Sequence, residues 1–520
     1  MSRINSNVSS LIAQSNLSKT QKDLQLHLER LSTGLRINRG ADDPAGLIIS
    51  ERLRTDINGV SQGIKNSERA SSVISTTESS LAEINDLLNS IKGLLVESAN
   101  TGANSKDERD ANQLQIDSAI DSITRISNTA SFGGLRLLNG NLDYRISGLQ
   151  TSAISRAQVT NASFIGSQSL QVDVDVVASA QTAALYFNGG SVNPPGVTLS
   201  TITLQVAGNR GVEEITVPKG QSFASVVSAV NRLTILTGVK ASLINGSANS
   251  GIVFQSETYG SDSFVSVKRQ GSPLTTGTEW FKTHKFANNA PVVSGASFNW
   301  TTLTGSGTLV TADRDEGQNV QALINGNLAN GDGLKVKVNS SALGMSLILN
   351  ENFATDPSAA NSTFTITGGG ALFQLGQDVT ALQQVNLGIA STAASNLGAT
   401  SINGTIEFLS SIKSGQGNSI SASVARGDFS PGSEILNSAI DEISLLRGRL
   451  GAFGRNTLDT NVRSLQSSFE NLNASVSVIR DADFAAETSQ LTRAQILSSA
   501  GNSVLGLANQ QSQQVLQLLG

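Results

Sequence analysis

The chain has 520 residues, a net charge of −5, 15% charged and 4% aromatic side chains, and no cysteine. That length predicts several domains, and the absence of basic clusters argues against nucleic acid or anionic membrane surfaces as partners. Without cysteine, stability must come without disulfides, and no segment reaches the roughly 20 apolar residues that membrane insertion needs.

Met1 to Ser18 has one charged side chain and no continuous apolar core, so it does not read as a cleaved secretory signal. Ile4, Val8 and Leu11 begin a four-three spacing, and Leu17, Leu24 and Leu31 follow at intervals of seven with Leu28 and Leu35 offset, which predicts a helix ending at Gly34. The break Arg36 to Gly46 contains Asp42 and Asp43. A metal or acid/base pair is one reading, but Asp43 before Pro44 fits a helix cap followed by proline at the first helical position.

A long heptad seam comes next. Ile57, Val60, Ile64, Ser67, Ser71, Ile74, Glu78, Leu81, Ile84, Leu88, Ile91 and Leu95 are spaced three or four residues apart. A stripe so narrow on so long a helix must lie along other helices. A further helix is expected through Leu114, Ile116, Ile120, Ile123 and Ile126.

From about Tyr144 the texture becomes alternating and β-branched, as in Leu170 to Val177, and six of the eight prolines lie between 194 and 357. Strands are predicted at 202–206, 214–217, 239–244, 252–255 and 264–268, with a helix over 222–236. A second, looser unit over 309–366 is expected to hold a helix near Val320 to Ile324 and strands at 334–338 and 346–349. Gln374 to Gly404 reads as helical. The turn-rich flanks predict that joining Asn188 to Gln374 leaves a chain that still assembles.

Heptads return at Leu436, Ala439, Ile443, Leu446, Leu450 and Phe453, then at Leu458, Val462, Leu465, Phe469, Leu472, Val476 and Ile479. The last helix places Leu497, Ala500, Val504, Leu507 and Leu518 on heptad spacing, and no charged residue follows Ala494. The fold class is therefore mainly α with a β-rich insert, the terminal helices pairing into a coiled-coil rod around central α+β modules.

Catalysis finds no constellation. The histidines, His27 and His284, lie far apart in sequence, and neither a phosphate-binding loop nor a zinc-protease motif is present. No enzyme activity, cofactor or metal is expected.

The runs ERLSTGLRINRGADDPAGLIISERLR (29–54), TTESSLAEIN (76–85), LRGRLGAF (446–453) and TRAQILSSAGNSVL (492–505) closely resemble the terminal regions of bacterial flagellins. The stretch 202–268 is similar to a small β-rich module found inside some flagellins and hook-associated proteins. The resemblance implies an exported structural subunit that polymerises with itself into the filament. It assigns 1–44 and 481–520 to an inner coiled coil, 45–185 and 391–480 to a helical wall, and 186–390 to an outward-facing β-rich insert of two small modules. It implies an export chaperone, the type III export apparatus, the filament cap and hook-associated proteins as further partners. A hook-filament junction protein and a surface adhesin on the same scaffold are the alternatives. Flagellins detected by the flagellin-sensing Toll-like receptor resemble one another in an arginine, a glutamate and a further acidic residue. The corresponding positions here are Ser90, Gly93 and Gln115.

Overall fold

A computed structural model describes residues 7–164, 169–271, 280–287, 298–340, 342–402 and 404–519. Long helices, numbered here in chain order, are α1 (Val8–Thr33), α2 (Pro44–Ala99), α3 (Lys106–Thr129), α4 (Ser430–Ala452), α5 (Asp459–Arg480) and α6 (Phe484–Leu519). The chain forms two compact units, one of 1–71, 373–384 and 453–520, the other of 72–372 and 385–452.

Local chemistry sets the helix ends. Asn7 caps α1 by accepting from Ser10 N, and Gly34 ends it at φ +71, donating its N–H to Arg30 O. Asp43 Oδ1 accepts from Gly46 N at 2.9 Å at the start of α2, while Asp42 Oδ2 accepts from the N–H groups of Asn38 and Arg39. Both carboxylates therefore satisfy backbone donors. Ser105 and Glu108 form a reciprocal capping box on α3.

In the first unit, α2 runs beside α5. Gly63 sits where an added Cβ would lie 3.1 Å from both Leu465 Cδ1 and Leu375 O, and Asn461 Nδ2 donates to Ser67 Oγ at 3.0 Å and Leu375 O at 2.9 Å. Between α4 and α5 lies a π-turn, Phe453–Leu458. Its origin is countable: the seam steps by five from Phe453 to Leu458 where four is expected. One turn of i→i+5 hydrogen bonding absorbs the extra residue and leaves Leu458 fully buried.

In the second unit, Ile84, Leu88 and Ile91 of α2, Ile116 and Ile123 of α3, and Ile435 and Ile443 of α4 are all fully buried. Buried Gln113 ties the segment before α4 to this core, accepting from Ile420 N at 2.8 Å and donating to Ile412 O at 3.0 Å.

The same unit carries two β modules. One holds Ala184–Asn188 to Arg314–Glu316 in a five-stranded and a four-stranded sheet, with the helix Phe223–Arg232 on their shared core. The other is assembled from both sides of it. Strands Ile154–Ala162 and Leu170–Ala178 pair with Leu343–Leu349 and Ser362–Gly369, and all share one core. The first module is thus nested within the second: Gln181 N donates to Gln318 O at 2.9 Å and Gln318 N to Gln181 O at 3.0 Å where the chain leaves and returns. Arg156 pairs with Glu442 at 2.7 Å and Arg210 with Glu434 at 3.1 Å, docking both modules on α4.

Three expectations are corrected. Val320 to Ile324 is not helical, since Gln321–Ile324 is a strand paired with Leu170–Ala178. Val320, Ala322 and Ile324 alternate inward, and Asn325-Gly326, both at positive φ, make the tight turn to Asn327–Leu328. Gln374 to Gly404 forms two short hairpins, Ala371–Gln374 with Gln384–Leu387 and Thr400–Ile402 with Thr405–Glu407, and Gly398 and Gly404 take positive φ values that a helix excludes. Finally, strands Ile154–Ala162 and Leu170–Ala178, expected in the helical wall, contribute to the core of a β module, so the expected boundary at 185 falls inside the strand Ala184–Asn188.

Candidate assembly interface

The terminal helices α1 and α6 pair antiparallel along their length. Asn7 Nδ2 donates to Ala508 O at 3.0 Å and Ser10 Oγ to Asn509 Oδ1 at 2.8 Å at one end. Midway, Gly501 lies under Leu17, where an added Cβ would meet Leu17 Cδ1 at 3.2 Å. At the other end Arg30 Nη1 donates to Glu487 Oε1 at 3.1 Å, His27 Nδ1 bonds Glu487 Oε2, and Leu35 bridges Asp481 through backbone bonds.

The buried stripe on α6 is Glu487, Leu491, Ala494, Ser498, Gly501, Leu505 and Ala508, a heptad one position away from the expected one. It is a small-residue seam. On the matching stripe of α1, Ala13 is buried and Leu17, Leu24, His27 and Leu31 are half-buried. Val8, Leu11, Leu28, Leu497, Val504 and Leu507 point away from it and are about half exposed, Leu11 at 60% and Val504 at 55%. The expectation that Val504 is buried is thus not met within the single chain, because alanine and glycine let the helices approach on the neighbouring face. Ile4 lies outside the described residues, as does the side chain of Leu518.

The wall seam divides between the units. Val60 and Leu458 are buried, and Ile57, Ile64, Val462, Leu465, Phe469, Leu472, Val476 and Ile479 are half-buried, within the first unit. Ile74, Leu81, Ile84, Leu88, Ile91 and Leu95 are buried within the second. Ser90, Gly93 and Gln115 are exposed on α2 and α3 of the second unit.

Burial would raise the Glu487 carboxyl, but the hydrogen bonds from His27 and Arg30 outweigh it and hold the group below its ordinary range. A depressed carboxyl contributes stability that is complete above the unfolded value and lost as pH falls through the folded one. Acidification below the ordinary carboxylate range will therefore loosen the α1–α6 pair. Circular dichroism during acid titration should show a terminal-helix transition that Glu487→Gln flattens; an unchanged transition would place the acid sensitivity elsewhere.

Among the described residues no group of His, Cys, Asp and Glu is arranged to hold a metal ion, and no helix is long and apolar enough to cross a membrane. A chain whose two ends pair into one rod, and whose pairing leaves a second apolar stripe uncovered on both helices, has the make-up of a polymerising structural subunit.

Comparison with known proteins agrees. Residues 4–143 match the bacterial flagellin N-terminal helical region and 433–519 the C-terminal helical region. The chain is 30% identical to a flagellin of Shigella flexneri and 29% identical to one of Escherichia coli K12, in each case over 99% of both chains. Among solved structures it is similar to flagellar hook associated protein-3 of Legionella pneumophila, at 11% identity and a TM-score of 0.30, covering 82% of this chain and 98% of that one. The chain belongs to the bacterial flagellins. Members of this family are structural proteins that build the extracellular flagellar filament for motility, and this chain is a filament subunit. The junction-protein alternative is not favoured.

Proposed function

We propose that α1 and α6 form the inner layer of the filament, that α2 to α5 build the tube wall around it, and that the β modules are carried outward. The observation supporting this is the uncovered stripe containing Leu11, Leu28, Leu497, Val504 and Leu507, which gains burial only against other copies of the chain. Subunits would be exported unfolded with a chaperone through the type III apparatus and added beneath the cap. Junction with the hook would go through hook-associated proteins. Deleting the gene, where it is the sole flagellin, should leave bare hooks in electron micrographs; intact filaments shed into the medium would instead indicate a junction role.

A second proposal concerns immune detection. Ser90, Gly93 and Gln115 stand where detected flagellins carry an arginine and two acidic residues, the groups that form charge-assisted hydrogen bonds. Anchors of that kind commonly carry a large share of binding energy. The monomer should activate the Toll-like receptor weakly or not at all in a reporter-cell titration, and Ser90→Arg with Gly93→Glu should raise the response. Activation as strong as that of a typical detected flagellin would refute this.

A further inference from the structure

Most of the α1–α6 seam is indifferent to which turn of the partner it meets. Leu17, Leu24 and Leu31 repeat every seven residues on α1, as Ala494, Gly501 and Ala508 do on α6. Sliding one helix by a heptad therefore puts similar groups in similar places, and small residues clash with nothing.

Glu487 breaks that equivalence. It is 8% exposed, and its two oxygens are taken by Arg30 and His27. One heptad toward the N-terminus, the places of His27 and Arg30 are held by Thr20 and Asp23, so a slide that way sets a second carboxylate beside the first. One heptad the other way lie Gly34 and Ile37, beyond the last helical residue Thr33. Only one alignment supplies cationic partners. A buried carboxylate left without them is strongly unfavourable, and a single buried polar contact can set helix register for that reason.

We propose that His27, Arg30 and Glu487 are register-determining residues, selecting one axial alignment of α1 on α6 over heptad-shifted alignments and so fixing how the chain ends enter the filament. This rests on the reading that these helices stay paired in the polymer. The Leu35–Asp481 bridge, with Arg36 N donating to Arg480 O and Ala482 N to Gly34 O close to both helix ends, must break in a slide of about 10.5 Å, so it favours the same alignment and the side-chain lock acts together with it.

The absence of cysteine makes the test direct. Ser10→Cys with Asn509→Cys reports the native alignment, because those side chains touch at 2.8 Å. Ser10→Cys with Asn502→Cys reports a slide of one heptad. Filaments of each pair are oxidised with diamide, dissociated, and the intrachain disulfide is quantified by peptide mass spectrometry. With Glu487 intact, only the native pair should cross-link. Adding Glu487→Leu should raise the shifted disulfide at least about tenfold. If the leucine variant does not polymerise, Glu487→Gln, which removes the carboxylate that Asp23 repels, is read in the same way. Exclusive native cross-linking in these variants overturns the proposal. Failure of both pairs to cross-link in otherwise unchanged filaments overturns the helix pairing itself, and the register lock with it.

Discussion

Replacing residues 182–317 by an Asn-Gly turn between Gln181 and Gln318 will give a chain that folds, is exported and forms filaments of smaller outer diameter. The two glutamines already exchange backbone hydrogen bonds of 2.9 and 3.0 Å as an antiparallel pair, the geometry that a two-residue hairpin turn closes. The excised module keeps its own core, built around Phe187, Leu204, Phe223 and Phe254, each 1% exposed or less, and takes nothing essential from the enclosing one. What is lost is docking by Arg210 to Glu434, a half-exposed pair contributing about 1 kcal/mol or less, together with Tyr259, which packs against the enclosing core and donates to Glu351, and the bond from Asn319 Nδ2 to Ser261 Oγ. Joining Asn188 to Gln374, which the sequence recommended, should fail. It deletes Leu343–Leu349 and Ser362–Gly369, the partners of Ile154–Ala162 and Leu170–Ala178, and uncovers Val172 and Val174, both fully buried. Loss of several such side chains, at about 1.5–3 kcal/mol each, exceeds the stability of a typical domain margin. Electron microscopy and thermal melts of the two deletions decide the matter: equal behaviour would mean the nested arrangement has no energetic weight.

Val504→Asp will abolish polymerisation while leaving the monomer's α1–α6 pair intact. Val504 is 55% exposed in the single chain, so the carboxylate is solvated there. In the filament the proposed stripe is covered by neighbouring copies, and burying an unpaired charge costs several kcal/mol. Each 1.4 kcal/mol is a factor of ten, so the critical concentration for seeded growth should rise at least about a hundredfold. Leu491→Asp acts at the internal seam, and should melt the terminal pair before assembly is attempted. Removing the chain from Asp481 onward should leave a soluble monomer. Normal seeded growth by either Val504→Asp or this truncation would show that α6 is not an assembly surface.

The helical frame was legible because large aliphatic residues on long helices announce their period: Ile57 to Leu95 and Leu458 to Ile479 lie on the inward faces, as their spacing indicated. The terminal pair was legible as helices but not as a seam. Ala494, Gly501 and Ala508 are weakly apolar, so the bulkier Leu497 and Val504 one position away drew the assignment, although the repeat of small residues was there to be counted. The strand Gln321–Ile324 is too short for its period to separate strand from helix, and the Asn325-Gly326 turn was the stronger signal. The nesting of one module in the other was not readable at all, since it depends on pairing Leu170–Ala178 with Ser362–Gly369, almost two hundred residues apart.

The π-turn at Phe453–Leu458 has a consequence for how such a chain can change. In a polymer every subunit repeats the same contacts, so a single added codon that rotated α5 by about 100° would misplace its whole apolar face in thousands of copies at once. A wider helical turn works as a leap day does in a calendar. It takes up the surplus at one point and lets the count resume unchanged, so the C-terminal helix can gain a residue without any distant contact having to evolve in response.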